Sequence, residues 1–153
     1  PESLLVPGNL PRMIEETLEF LRHELRQKRI EMDCQLPEVL GEIRFDRVQM
    51  RRALLNLIRN AAEAMPKGGK LRLWVEKRNE EAVIHIEDTG IGIPSEVIGK
   101  IFEPFFTTKE VGTGLGLAIV EQIIHDHGGQ VICHSKVGHG TTFSIILPLD
   151  ETK

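Results

Sequence analysis

Glu81-Ala82-Val83-Ile84-His85-Ile86-Glu87-Asp88-Thr89-Gly90-Ile91-Gly92-Ile93-Pro94 changes character halfway along. Ala82, Ile84 and Ile86 recur at every second residue, the period of a strand; two glycines and a proline then end it. Upstream, Leu71, Leu73 and Val75 keep the same period, so two strands joined near Asn79-Glu80 lead into the glycine turn. Further upstream, Asp46 with Gln49 three residues on resembles a capping box. It predicts a helix carrying Val48, Leu54, Leu55, Ile58, Ala61, Ala62 and Met65, stopped by Pro66-Lys67-Gly68-Gly69. Ahead of that lie a short strand at Ile43–Phe45 and a half-buried strand through Ile30, Met32 and Cys34. A helix through Leu10, Ile14, Leu18, Leu21 and Leu25 precedes them, with Asn9 before Pro11 as its start signal.

Downstream, Thr89 to Gly116 holds six glycines in 28 residues, with only a short helix after Pro94. A stretch of that kind inside a compact domain is usually functional. Leu115 to His127 reads as a helix ending at Gly128-Gly129. A final hairpin, Val131-Ile132-Cys133 and Thr142–Leu147, turns around Val137-Gly138-His139-Gly140. The sum is three long helices and about six strands, an α+β layered sandwich with one long loop.

The 153 residues suit one domain, here 1–153, and carry 19 Lys+Arg against 23 Asp+Glu, a net −4. That balance argues against nucleic acid as a partner. No apolar run approaches the roughly 18 residues of a membrane span, and no signal peptide opens the chain, so a cytoplasmic setting is expected. Cys34 and Cys133 are expected to be buried reduced thiols. A start at Pro1 without Met is read as an excised fragment.

Three constellations carry the chemistry. Asp88 at a strand end can accept a hydrogen bond from an exocyclic amino group, while Gly90 and Gly92 admit close approach of a flat ring. Adenine fits, since it donates where guanine presents an oxygen; the competing reading is a plain Asp–Gly turn. Gly112-Thr113-Gly114-Leu115-Gly116-Leu117 opens a helix, whose free N–H groups and dipole suit phosphate oxygens; the competing reading is a flexible loop. It is neither Walker A nor the dinucleotide fingerprint. Asn56 and Asn60, one helical turn apart in Asn56-Leu57-Ile58-Arg59-Asn60-Ala61-Ala62-Glu63-Ala64, suggest an oxygen ligand for a hard cation such as Mg²⁺; the competing reading is two amides bonded to nearby backbone.

In this order, the Asn box, the Asp-x-Gly-x-Gly box and the Gly-x-Gly-x-Gly box resemble the catalytic ATP-binding domain of the two-component sensor histidine kinases. Phe102-Glu103-Pro104-Phe105-Phe106-Thr107-Thr108-Lys109 is similar to their phenylalanine box. His127-Gly128-Gly129, Gly138-His139-Gly140-Thr141-Thr142-Phe143 and Leu147-Pro148 also match, so the resemblance runs from about Gly8 to Leu149. It is nearest to the nitrogen-regulation type. The wider superfamily includes type II topoisomerases, a heat-shock chaperone and mismatch-repair ATPases.

The resemblance implies a two-layer α/β sandwich, the Bergerat ATP-binding fold: a mixed sheet of about five strands covered by three helices, with a long ATP lid. It implies ATP and Mg²⁺ as cofactors. Asp88 is then the adenine contact, with Gly90, Gly92 and Ile93 along the ring and Thr141 supporting through water. Asn60 holds Mg²⁺, with Asn56 one turn earlier on the same wall. Gly112, Thr113, Gly114, Leu115, Gly116 and Leu117 close over the phosphates, and Phe102, Thr107, Thr108 and Lys109 belong to the lid side. Asn60 and Lys109 are the catalytic candidates.

Two departures matter. Hydrolysing relatives carry a Glu general base where this chain has Asn56, which argues for phosphotransfer. Many histidine kinases carry Lys or Arg where this chain has Glu63, so Lys109 or Arg59 is the candidate replacement cation. Arg59 points about 100° away from Asn60 on an ideal helix. His23-Glu24-Leu25-Arg26 is similar to the start of the phosphoacceptor motif, but Gln27-Lys28 replaces Thr-Pro, so the acceptor histidine is expected upstream. His125 and His127 do not share a helix face as metal ligands would, and His134 and His139 read as solvent-side.

The implied function is donation of the γ-phosphate of Mg·ATP to a histidine on the kinase's own dimerisation domain, then onward to a response-regulator aspartate. The partners implied are that helical phosphoacceptor domain and a receiver domain, with this domain alone a monomer and the full-length kinase a dimer, soluble or membrane-anchored. The alternatives are a superfamily ATP hydrolase, a serine kinase of the same superfamily, and a non-catalytic nucleotide-binding module. Phe105 and Phe106 are left between packing the lid, touching the neighbouring domain and filling the core.

Overall fold

A computed structural model describes residues 4–106 and 115–149. Along the chain run β1 (Val6–Gly8), α1 (Leu10–Gln27), β2 (Ile30–Gln35), β3 (Ile43–Phe45), α2 (Arg47–Glu63), β4 (Gly69–Arg78) and β5 (Glu81–Asp88). They are followed by α3 (Ser95–Ile98), α4 (Gly116–Asp126), β6 (Gln130–Lys136) and β7 (Gly140–Pro148). Seven strands are therefore found among the described residues, against about six expected. The addition is β1, three exposed residues with no alternation to reveal it, paired antiparallel with β3.

The main sheet has five strands in the order β2-β4-β5-β7-β6, mixed because β2 runs parallel to β4 while every other pair is antiparallel. Inward positions follow the two-residue period: Leu71 and Leu73 on β4, Ala82, Ile84 and Ile86 on β5, Phe143, Ile145 and Leu147 on β7 are all buried. Helices α1, α2 and α4 contribute apolar stripes to the same core: Ile14, Leu18 and Leu21 on α1, Leu54, Leu57 and Ile58 on α2, Val120 and Ile124 on α4. The outer face of the sheet is polar, with Trp74 stacked on His85 and the Arg72 guanidinium over the indole.

Local signals act as chain punctuation. Asn9 accepts from Arg12 N at 3.0 Å and Pro11 occupies the first turn of α1, where no donor is needed. Asp46 Oδ1 accepts from Gln49 N at 3.0 Å, capping α2 as expected. The reciprocal half of the capping box is different: Asp46 N donates to His127 Nε2 at 2.9 Å, across 81 residues of sequence. Val48, expected on the core stripe of α2, is 75% exposed. It lies about 120° around the helix from Leu54, and Met50 and Ala53 fill the stripe instead. Helix α4 ends as Gly128-Gly129 predicted, with Gly128 N donating to His125 O and Gly129 N to Ile124 O, the two bonds of a Schellman motif.

Candidate functional site

Asp88 ends the central strand β5, and the register places it beside Leu71 on one side and Thr141 on the other. Only 2% of it is exposed. One carboxylate oxygen, Oδ1, accepts from Gly90 N at 2.8 Å and Thr141 N at 3.2 Å. No donor among the described residues is paired with Oδ2. Burial pushes the Asp88 carboxyl above the usual carboxylate range, and Glu87 adds to it; the two N–H groups pull the other way without winning.

The turn after Asp88 is bonded to two other elements. Ile91 N donates to Ala64 O at the end of α2, and Gly138 N donates to Ile91 O from the β6–β7 turn. The glycines are needed for this packing of chain on chain. A Cβ on Gly90 would lie 2.3 Å from Ala64 O, and one on Gly92, whose φ is +78°, would lie 2.3 Å from Lys136 O. Sequence reasoning assigned them to a ligand ring; their first constraint is the protein's own backbone. Ile93 is half-buried against the core, and its N–H donates to Ser135 Oγ at 2.7 Å. Ser135 Oγ also donates to Gly140 O at 3.0 Å and lies 2.7 Å from Thr141 Oγ1.

Ser135 went unselected in the sequence, as did the Ala64 carbonyl. A signal existed for Ser135: it is the one polar inward position of β6, after Val131 and Cys133.

Asn56 and Asn60 lie on α2, one turn apart, both half-buried. Asn56 Nδ2 donates to Gly116 O over a long 3.5 Å, which brings the Asn box against the start of α4. That helix start has no side-chain cap at Leu115, and Gly116 is exposed, with nothing near where a Cβ would stand. A helix N-terminus without a side-chain cap is an arrangement anions favour. Leu117 packs half-buried against the core. Phe102 is turned edge-on to Phe143, with ring centroids 6.2 Å apart, two residues along β7 from Thr141. Phe106 also packs on the core, whereas Phe105 is 74% exposed with φ +67°. Thr107, Thr108, Lys109, Gly112, Thr113 and Gly114 lie outside the described residues.

Arg59, one of the two candidate replacement cations, already has a partner on α1. Its guanidinium makes a two-pronged pair with Glu24 on α1, both contacts at 3.1 Å, and so faces the helix layer. The other histidine and cysteine expectations can be placed too. His23, His125, His134 and His139 are exposed. His127 is buried with both ring nitrogens engaged: Nδ1 donates to Ile123 O at 2.8 Å while Nε2 accepts from Asp46 N. Cys34 and Cys133 are free and half-buried, more open than expected, with burial pushing their thiols up to about 11 and about 12. Among the described residues, no group of three or more His, Cys, Asp or Glu could hold a metal, and no helix is long and apolar enough to cross a membrane.

The family described as "Histidine kinase-, DNA gyrase B-, and HSP90-like ATPase" matches residues 45–151. The chain is 40% identical over 144 residues to the signal transduction histidine-protein kinase AtoS of Escherichia coli (strain K12), covering 93% of this chain and 24% of that protein. It thus spans about a quarter of that relative's length. Among solved structures, the nucleotide-free catalytic domain of histidine kinase ThkA superposes with a TM-score of 0.86 at 32% identity, covering 95% of each chain. ThkA in complex with response regulator protein TrrA gives 0.84 at 29% identity, over 97% of this chain and 42% of that one. Full-length ShkA in complex with AMPPNP gives 0.87 at 28% identity, over 97% and 32%.

Proposed function

Because the chain belongs to the family of histidine kinase-, DNA gyrase B- and HSP90-like ATPases, we propose that residues 1–153 form the catalytic ATP-binding domain of a sensor histidine kinase. In this reading the domain binds Mg·ATP and presents the γ-phosphate to a histidine on the kinase's dimerisation domain. A response-regulator aspartate then receives the phosphoryl group. The observation that carries the reading is Asp88: a buried carboxylate with one oxygen clamped by two backbone N–H groups and the other left for a ligand donor.

An adenine amino group is such a donor, and Asp88 Oδ2 accepts from it in this proposal. Ile93 and Gly92 bound the ring, and Thr141 supports the polar edge. In this reading the start of α4, with Leu115, Gly116 and Leu117, binds the phosphates, and Thr107, Thr108, Lys109, Gly112, Thr113 and Gly114 are further candidates for that contact. The amide oxygen of Asn60, a neutral hard donor on the α2 wall, suits Mg²⁺, which takes one or two protein oxygens alongside phosphates and water. When bound, that ion supplies neutralisation of the phosphate charge. Lys109 is the candidate for the remaining positive charge, since Arg59 is held by Glu24.

Asn56 separates transfer from hydrolysis. Its amide cannot take a proton from water, so the chain lacks the base that activates water at this position. What this domain contributes is binding, orientation and electrostatics, with the nucleophile coming from the neighbouring helical domain. The parent's response to a receiver domain and its dimeric state belong to the same proposal. ThkA bound to TrrA supports the receiver partner, and ShkA bound to AMPPNP supports the nucleotide.

The test supplies γ-labelled ATP, Mg²⁺ and a separate histidine-bearing helical hairpin, with released phosphate counted in parallel. Acid-labile, base-stable label on the hairpin is expected. Stoichiometric phosphate release with an unlabelled hairpin would favour the hydrolase.

A further inference from the structure

Three partners converge on Ser135 Oγ, and their chemistry fixes where each proton lies. A serine hydroxyl offers one proton and two lone pairs. Ile93 N–H, at 2.7 Å, can only donate and takes one lone pair. Gly140 C=O, at 3.0 Å, can only accept and takes the proton. The one position left for Thr141 Oγ1, at 2.7 Å, is the second lone pair, so Thr141 must donate. Its single hydroxyl proton is therefore committed to Ser135. Toward the rest of the site Thr141 offers lone pairs alone, beside an Asp88 oxygen that also only accepts.

We infer that Ser135 is a positioning residue for base selection: by holding the Thr141 proton, it makes the rim around Asp88 acceptor-only. The inference rests on the reading of Asp88 as the base contact. An acceptor-only rim favours a purine whose position 6 carries an amino donor and disfavours one with an oxygen there. Removing the Ser135 hydroxyl frees the Thr141 proton to point into the site, where a 6-oxo purine can accept it.

Calorimetric titration of the 153-residue chain with Mg²⁺ and non-hydrolysable analogues of ATP and of inosine triphosphate reads this directly. Ser135→Ala should lower the ATP-over-inosine preference about tenfold, the scale of one hydrogen bond, mostly through tighter inosine binding. Ser135→Thr, which keeps the hydroxyl, should retain the preference. In a Thr141→Val background, Ser135→Ala should change the preference no further, because the residue through which it acts is gone. A Ser135→Ala effect that is equal for both nucleotides, or that persists undiminished beside Thr141→Val, overturns the inference and leaves Ser135 a loop tether. If Asp88→Asn binds the ATP analogue as tightly as the natural chain, the Asp88 reading itself fails instead. Proton NMR of the unmutated chain gives a second reading that needs no variant. A Thr141 hydroxyl proton protected from exchange and close to Ser135 Hβ is expected; one exchanging at the solvent rate overturns the assignment.

Discussion

The two oxygens of Asp88 live in different environments, one bonded to Gly90 and Thr141 N–H and one without a donor. A carboxylate kept this way costs the nucleotide-free fold something. Its folded pKa is raised, chiefly by burial. Between the unfolded value and that raised value the native chain binds the extra proton, so stability falls as pH rises through the window and the cost stays in full above it. Asp88→Asn keeps an acceptor for both N–H groups and removes the buried charge. At neutral pH the nucleotide-free variant should melt higher than the natural chain, the direction set by removing the buried charge, while losing nucleotide binding. A lower melting temperature would contradict this account of Asp88. Asp88 was legible because its chemistry is local in sequence, a strand end followed by two spaced glycines. Ser135 was only half legible: its polar place on the inward side of β6 was a signal, but its partner Ile93 N lies 42 residues away and no local pattern points to it.

At the scale of elements, the glycines and caps of the β5–β7 region divide into those that turn the chain and those that admit a neighbour. Gly138 and Gly140 both have positive φ, +82° and +97°. A Cβ on Gly138 meets open space, whereas one on Gly140 would lie 2.0 Å from Asp88 O. Gly138→Ala should therefore cost about 1 kcal/mol, the left-handed backbone penalty alone. Gly140→Ala should cost about 2 kcal/mol more and weaken nucleotide binding, because β7 must move away from Asp88. Urea unfolding of both variants checks the difference; equal losses would refute it. His127 joins α4 to the start of α2. His127→Ala leaves Asp46 N–H without its acceptor and opens a gap, so a loss of about 2–4 kcal/mol is expected in the same measurement. Helix starts and stops were readable from Asn9, Asp46 and Gly128 because caps act over three or four residues. The His127 bond, which takes the place of the capping box's second half, was not, since it is set by how α4 packs on α2.

For the whole molecule, hydrophobic period and punctuation were enough for the helix layer and the main sheet, and five ordered motifs were enough for the family. What escaped was either too short to have a period, as β1 is, or decided by packing, as with the exposure of Val48 and the partner of Arg59. The two thiols report on the integrity of the packed sheet. Cys34 lies on edge strand β2 and Cys133 on edge strand β6, both facing the core, with values of about 11 and about 12. At pH 8 iodoacetamide should modify Cys34 about two hundredfold and Cys133 about two thousandfold more slowly than an unfolded-chain thiol, whose pKa is about 8.5, as their thiolate fractions dictate. Alkylation of the folded chain at the unfolded rate would show that the sheet edges open.

The central claim is that this fold selects ATP through Asp88. Calorimetric titration with a non-hydrolysable ATP analogue and Mg²⁺, beside the GTP analogue and the Asp88→Asn variant, tests it most directly. Binding of the ATP analogue alone, weakened at least tenfold by Asp88→Asn, is the predicted result. Equal binding of both nucleotides, or an Asp88→Asn variant that binds as tightly as the natural chain, would contradict it.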